Sequence, residues 1–131
     1  MTDQERDELI QSAVDAQKRA FCPYSNFPVG AALRTVSGRI FQGVNVENAS
    51  FGLTICAERV AASAAVAAGE TKFTAIAVVS RTGVSPCGAC RQFLAEFNPN
   101  LVIIMVDSLN PSEGHRATLD RLLPSRFEGP V

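Results

Sequence analysis

Two short stretches, Cys56-Ala57-Glu58-Arg59 and Pro86-Cys87-Gly88-Ala89-Cys90, constrain this chain more than any others. Together they offer three thiols and one carboxylate. Cys87 and Cys90 are three residues apart, so at the start of a helix both sulfurs face one point, and Cys56 must arrive from elsewhere to complete a set of three. Soft thiolates select zinc, and catalytic zinc takes three protein ligands and leaves a fourth corner for water. Glu58 lies two residues past a presumed ligand, close enough to exchange a proton at that corner without binding the metal. A lone C-x-x-C carries little weight; C-x-E followed about one helix and one strand later by P-C-x-x-C carries much more.

The chain has 131 residues, which predicts one domain over 1–131, and its 47% hydrophobic content is enough for a real core. A net charge of −1 with no basic patch argues against nucleic-acid binding. The start, Met1-Thr2-Asp3-Gln4-Glu5, is too polar and acidic for a signal peptide, and no apolar run approaches the roughly 20 residues of a membrane span. A soluble, cytoplasmic protein is expected. Four cysteines in such a chain read as metal or redox groups rather than disulfides. Cys22 reads as a small buried or half-buried thiol.

Thr2-x-x-Glu5 matches a capping box, and Leu9, Ile10, Ala13, Val14 and Ala20 follow a helical period, predicting an amphipathic helix from 3 to about 20. Pro23 ends it and Tyr24 to Pro28 form a loop. Residues 29–35 and 39–46 read as a hairpin around Val36-Ser37-Gly38. Asn45, Glu47 and Asn48 follow where the second strand runs out; such a cluster is either a turn with asparagines bonding the backbone or a set of ligand contacts. Cys56 opens an alanine-rich helix closed by Gly69. That smooth surface suits close packing on a sheet or a subunit contact, and periodicity cannot separate the two. Residues 74–80 and 101–106 read as buried strands, with a helix from Cys87 to about Phe97 between them that turns Phe93, Leu94 and Phe97 inward. A last short helix is expected over 116–123, ahead of Pro124 and a tail that ends at Val131. The order predicts a mixed sheet covered by helices.

Three thiolates on a divalent ion leave a charge of about −1, which weakens the metal as a Lewis acid. Helix N-termini at Cys56 and Cys87 offset this, because backbone N–H groups and the helix dipole favour anions there. Arg59 is placed either to hydrogen-bond a thiolate or to form a surface salt bridge. His115, the only histidine, reads as a surface residue. Such hardware suits hydrolysis at an electron-poor carbon that carries an amine.

The motifs Tyr24-Ser25-Asn26-Phe27-Pro28-Val29-Gly30-Ala31-Ala32, Gly43-Val44-Asn45-Val46-Glu47-Asn48-Ala49-Ser50, Cys56-Ala57-Glu58-Arg59 and Pro86-Cys87-Gly88-Ala89-Cys90-Arg91-Gln92 resemble those of the small, homotetrameric, zinc-dependent cytidine deaminases, and the likeness runs through nearly the whole chain. It implies a three-layer α/β/α fold with a mixed five-stranded sheet and one zinc ion per subunit. It also implies a nucleoside substrate, with cytidine and deoxycytidine deaminated to uridine and deoxyuridine in pyrimidine salvage. By the resemblance, Cys56, Cys87 and Cys90 hold the metal. Glu58 carries protons to N3 of the cytosine ring and then to the departing amine. Arg59 moderates the thiolates and Ala57 offers its backbone to the base. Asn45 and Glu47 bind the sugar, mainly its 3′-hydroxyl. Phe27 stacks near the base and Phe127 reaches a neighbouring subunit's site. Two features depart from the pattern: Phe51 stands where many relatives carry tyrosine, and the loop 81–85 looks short.

Three other readings compete. A deaminase of a cytosine-containing antibiotic such as blasticidin S shares the C-A-E and P-C-x-x-C stretches, but the Asn45-x-Glu47 pair favours an unmodified ribose. A nucleic-acid deaminase is opposed by the charge. A structural zinc module needs a fourth protein ligand, which only Cys22 offers among the cysteines, and would leave Glu58 idle.

Overall fold

The computed structural model describes residues 1–130; Val131, the end of the expected tail, lies outside the described residues. Its elements are α1 (Asp3–Gln17), β1 (Gly30–Thr35), β2 (Ile40–Val44), α2 (Ala57–Ala67), β3 (Phe73–Ser80), α3 (Gly88–Ala95), β4 (Val102–Asp107), β5 (His115–Thr118) and the single turn α4 (Leu119–Leu122). The strands form one sheet in the order β2-β1-β3-β4-β5. Only β3 and β4 are parallel, joined through α3; the other neighbours are antiparallel. The sheet is therefore mixed and five-stranded, as expected.

Alternation along the strands creates two cores, one on each face. Leu9, Ile10 and Ala13 of α1 pack on Ala32, Ala75, Ala77, Val79, Ile104 and Val106. On the other face Ala57, Ala61, Ala62 and Ala65 of α2 and Leu94 of α3 pack on Ala31, Leu33, Ile76, Val78, Ile103 and Met105. This is the three-layer α/β/α arrangement. Ala57, Ala61, Ala62 and Ala65 thus serve sheet packing, while Ala64 and Ala67 of the same helix are exposed.

Two glycines set how closely the helices lie. A Cβ on Gly43 of β2 would fall 2.2 Å from the Ala57 carbonyl oxygen and 2.5 Å from the Ala61 nitrogen, and one on Gly30 would meet the Ala13 carbonyl oxygen at 2.2 Å. Those distances lie far inside van der Waals contact, so only glycine lets both helices settle at this depth. Gly69 ends α2 with φ +86°; its amide bonds the Val66 carbonyl and the Glu70 amide bonds the Ala65 carbonyl, a Schellman cap.

Three differences from the sequence reading have physical causes. First, α1 stops at Gln17 because the chain turns to pair Phe21 with the end of β2: the Phe21 amide donates to the Asn45 carbonyl and the Glu47 amide to the Phe21 carbonyl. Second, 116–123 is not one helix. Residues 115–118 pair with the free edge of β4, and only Leu119–Leu122 turn helically. A four-residue strand reading His-Arg-Ala-Thr has no apolar run to reveal it, and its polarity suits a sheet edge. His115 is exposed there, as expected. Third, α3 ends at Ala95, and of the residues expected inward Leu94 is fully buried while Phe93 is 37% exposed, its ring 5.9 Å from that of Phe97. Phe97, half-buried, stacks on Phe73 at 4.6 Å between ring centroids.

The capping box is complete: the Glu5 amide donates to Thr2 Oγ1, the Thr2 amide donates to Glu5 Oε1, and Arg34 donates to Glu5 Oε2. The Thr2 amide above all, with help from Arg34, holds the Glu5 carboxyl below its ordinary range. Its contribution to stability is therefore present above the unfolded value of about 4.3 and lost as pH falls through the lower folded value. Glu5→Gln is expected to lower the thermal midpoint at pH 7, with the gap closing as pH drops below about 4. Gly43→Ala is expected to cost about 3 kcal/mol in urea unfolding, since the helix must retreat from the sheet.

Candidate metal centre and active site

Cys56 arrives at the site on a short ladder. Val46 and Ile55 exchange both backbone hydrogen bonds at 2.9 Å, so the residue before Cys56 is pinned just past the end of β2. Cys56 is the N-cap of α2 and Cys87 the N-cap of α3, and neither sulfur caps its own helix. Their free sulfurs point at each other, 4.0 Å apart. Cys90, one turn into α3, is fully buried and completes the group: all three Sγ atoms lie within 4.8 Å of one another.

This donor set fits zinc. Tetrahedral zinc with Zn–S bonds of 2.3 Å puts its sulfurs about 3.8 Å apart, close to the separation of Cys56 and Cys87. Among the described residues the clustered ligand atoms are these three sulfurs alone; Cys22 is half-buried elsewhere and Glu58 is not part of the group. The arrangement supplies three ligands, the number typical of catalytic rather than structural zinc.

Charge at the centre is distributed unevenly. The Cys56 thiol is pulled down to about 5, first by the hydrogen bond from the Cys90 thiol, then by Arg59 and Cys87. Cys90 is pushed up by keeping its proton in that same bond and by burial. Arg59 Nη2 donates to Cys56 Sγ at 3.6 Å, while its buried Nε has no partner. Of the two options left open for Arg59, the structure presents the thiolate contact.

Glu58, on the first turn of α2, is 5% exposed. Burial raises its carboxyl above the ordinary range, with the Cys56 charge adding to the rise. It lines a cavity of about 200 Å³ with Cys56, Cys87, Ala57, Asn45, Thr54 and Val84. A carboxyl raised by an apolar setting suits a group that must both take and give a proton.

Asn45 and Glu47 stand at the rim, wired to the loop before β1. Asn45 Oδ1 accepts from the Val29 amide at 3.0 Å and its Nδ2 donates to the Phe27 carbonyl at 2.9 Å. Glu47 accepts from the Tyr24 and Ser25 amides and the Ser25 hydroxyl. The backbone-bonding option for this cluster is therefore present, and both side chains keep acceptor or donor capacity beyond it. A second cavity of about 400 Å³, lined by Tyr24, Ser25, Glu47, Phe51 and Thr54, adjoins the first through Thr54. Phe27 borders neither cavity; its ring carries the Arg81 guanidinium 5.4 Å from its centroid. Phe127 is exposed on the outer side of α3, its carbonyl accepting from Gln92 Nε2. The sequence reading overlooked Ser25 and Thr54, whose isolated hydroxyls carry no spacing signal. It also overlooked Arg91, which ties the Pro86 carbonyl beside Cys87 to the Leu122 carbonyl and Ser85.

A three-layer α/β/α fold that gathers three sulfurs and a sheltered carboxyl at two helix starts defines a zinc-dependent hydrolase. The model of the cytidine and deoxycytidylate deaminase zinc-binding region matches residues 3–106, and the chain belongs to that family. It is 44% identical over 130 residues to a probable cytidine deaminase of Dictyostelium discoideum, covering 97% of this chain and 86% of that one. The crystal structure of cytidine deaminase from Burkholderia pseudomallei superposes with a TM-score of 0.88 at 45% identity, covering 97% of this chain and 100% of that one. A blasticidin-S deaminase of Bacillus cereus is more distant, 31% identical over 109 residues, 76% of each chain.

Zinc titration of the metal-free protein is expected to saturate at one ion per chain, and Cys22→Ala to leave stoichiometry and affinity unchanged. Cys90→Ala is expected to abolish tight binding, read by a competing chromogenic chelator.

Proposed function

We infer that this chain is a zinc-dependent cytidine deaminase, acting on cytidine and deoxycytidine with release of ammonia. The observation that carries the reading is Glu58: buried, raised in pKa, and in the same cavity as the three sulfurs without belonging to their cluster. A structural zinc module has no use for such a group.

In this reading Cys56, Cys87 and Cys90 hold the ion. When bound, zinc supplies positive charge that acidifies a water and steadies the negative oxygen formed as it attacks. Glu58 accepts a proton from the attacking water and delivers it to N3 as C4 becomes tetrahedral; it then takes the remaining proton from the new C4 hydroxyl and passes it to the amino group as the C4–N bond breaks and the C4 carbonyl forms. Water is consumed, ammonia leaves and the uracil base remains. Arg59 holds the Cys56 sulfur and draws charge from the thiolates. The Ala57 backbone meets the base, Asn45 and Glu47 take the sugar, and Phe27 stacks near the base.

Residues 1–131 are read as a single deaminase domain that works as a homotetramer in the cytoplasm, in pyrimidine salvage. The exposed apolar side chains Phe51, Leu53 and Phe127, 75%, 65% and 71% accessible, support self-association. In the assembly Phe127 would meet a neighbour's site.

The test is loss of cytidine absorbance with zinc-loaded protein, offering cytidine, deoxycytidine, cytosine, CMP and blasticidin S in parallel. The two nucleosides are expected to react fastest. Glu58→Gln is expected to keep its zinc and lose more than the roughly 10²–10⁴-fold of an ordinary acid–base group, because it serves two proton transfers. Turnover of blasticidin S ahead of cytidine, or near-normal rates in that variant, would overturn the assignment.

A further inference from the structure

The carboxylate of Glu47 is more fully committed than a residue waiting for a ligand would be. Oε1 accepts from the Tyr24 amide at 2.9 Å and the Ser25 amide at 3.1 Å. Oε2 accepts from Ser25 Oγ at 2.5 Å. An ionised carboxylate offers about four acceptor directions, so one remains, on Oε2.

Ser25 decides where that direction points. Its hydroxyl oxygen accepts from the Phe27 amide at 3.1 Å, so its single proton is free to go to Glu47. The hydroxyl is thus fixed from both sides. The loop carrying it is held independently: Asn45 bonds Phe27 and Val29, and Arg81 donates to the Asn26 carbonyl at 2.6 Å. Ser25 and Glu47 both line the outer cavity of about 400 Å³, which adjoins the cavity of Glu58 and the sulfurs at Thr54. The Ser25 hydroxyl, with the two amides, also holds the Glu47 carboxyl below its ordinary range, so it stays an acceptor at neutral pH.

We propose that Ser25 is a positioning residue of the sugar compartment: its hydroxyl aims the one open acceptor direction of Glu47 at a single hydroxyl of the nucleoside sugar. The proposal rests on the cytidine deaminase reading above. Ser25 acts through Glu47, so its effect belongs to substrates that carry the hydroxyl and to their binding rather than to the chemical step.

The experiment compares zinc-loaded wild type with Ser25→Ala and Ser25→Thr on cytidine, 2′-deoxycytidine and 3′-deoxycytidine, with kcat, KM, zinc content and a thermal melt for each. Ser25→Ala is expected to raise KM for cytidine about tenfold, the scale of one hydrogen bond to a charged group, with kcat and zinc content within about twofold. On the nucleoside lacking the contacted hydroxyl, wild type and Ser25→Ala are expected to share one KM. Ser25→Thr, which keeps the hydroxyl, is expected to stay within about threefold of wild type on cytidine. An equal rise on all three nucleosides, an equal loss in both variants, or no change with cytidine overturns the role of Ser25 while leaving the deaminase reading intact. A wild-type protein inert toward all three overturns that reading and this one with it.

Discussion

The site depends on two helix starts being brought side by side. α2 and α3 lie on the same face of the sheet, and their N-caps are cysteines whose sulfurs approach to 4.0 Å. Each N-cap position normally uses its side chain to satisfy an amide of its own helix. Here neither sulfur does so, leaving both free to converge. The same geometry sets positive helix ends beside sulfurs that would carry negative charge. Close packing of α2 on β2 makes it possible, because at Gly43 no side chain stands between helix and strand. The next residue but one after Cys56 then falls inside the cavity, and that residue is Glu58.

A second constraint acts at the rim. The end of β2 is shared by three segments: Phe21 bonds one side of Val46's strand, Ile55 the other, and the side chains of Asn45 and Glu47 reach to the Tyr24–Val29 loop. One strand end therefore positions the first metal-site cysteine, through Ile55, and the polar rim, through Asn45 and Glu47. The inner cavity holds sulfur and a buried carboxyl; the outer one holds aromatic rings, with Tyr24 edge-on to Phe51 at 5.9 Å, and an ionised carboxylate. In the proposed reading the base takes the inner setting and the hydroxylated sugar the outer one.

Some of the fold was legible because local chemistry dictates it. Thr2 and Glu5 mark the start of α1, Gly69 the end of α2, and the apolar runs at 74–80 and 101–106 mark strands buried on both faces. Other parts were not legible, for the opposite reason. β5 is four residues with no apolar pattern, and it is a strand only because β4 offers an unpaired edge. Phe93 looked like a core residue by type, yet of the neighbours Phe93 and Leu94 only Leu94 is buried against the sheet. Asn45 and Glu47 drew attention as polar residues at a strand end, but nothing in their spacing disclosed that the loop at 24–29 engages both.

The sequence by itself determined the chemistry: three thiols with zinc-ligand character, a carboxyl two residues past one of them, and helix starts at both motifs, because ligand type, cap position and helical spacing are local properties. Only the tertiary structure decided that the two motifs meet, that Glu58 is buried enough for its carboxyl to rise, and that Ser25 sits on Glu47. Those facts depend on contacts between residues far apart in the chain, such as the Cys56–Cys87 approach at 31 positions and the Ser25–Glu47 bond at 22. Such contacts arise from sheet register and helix packing, which no local pattern encodes.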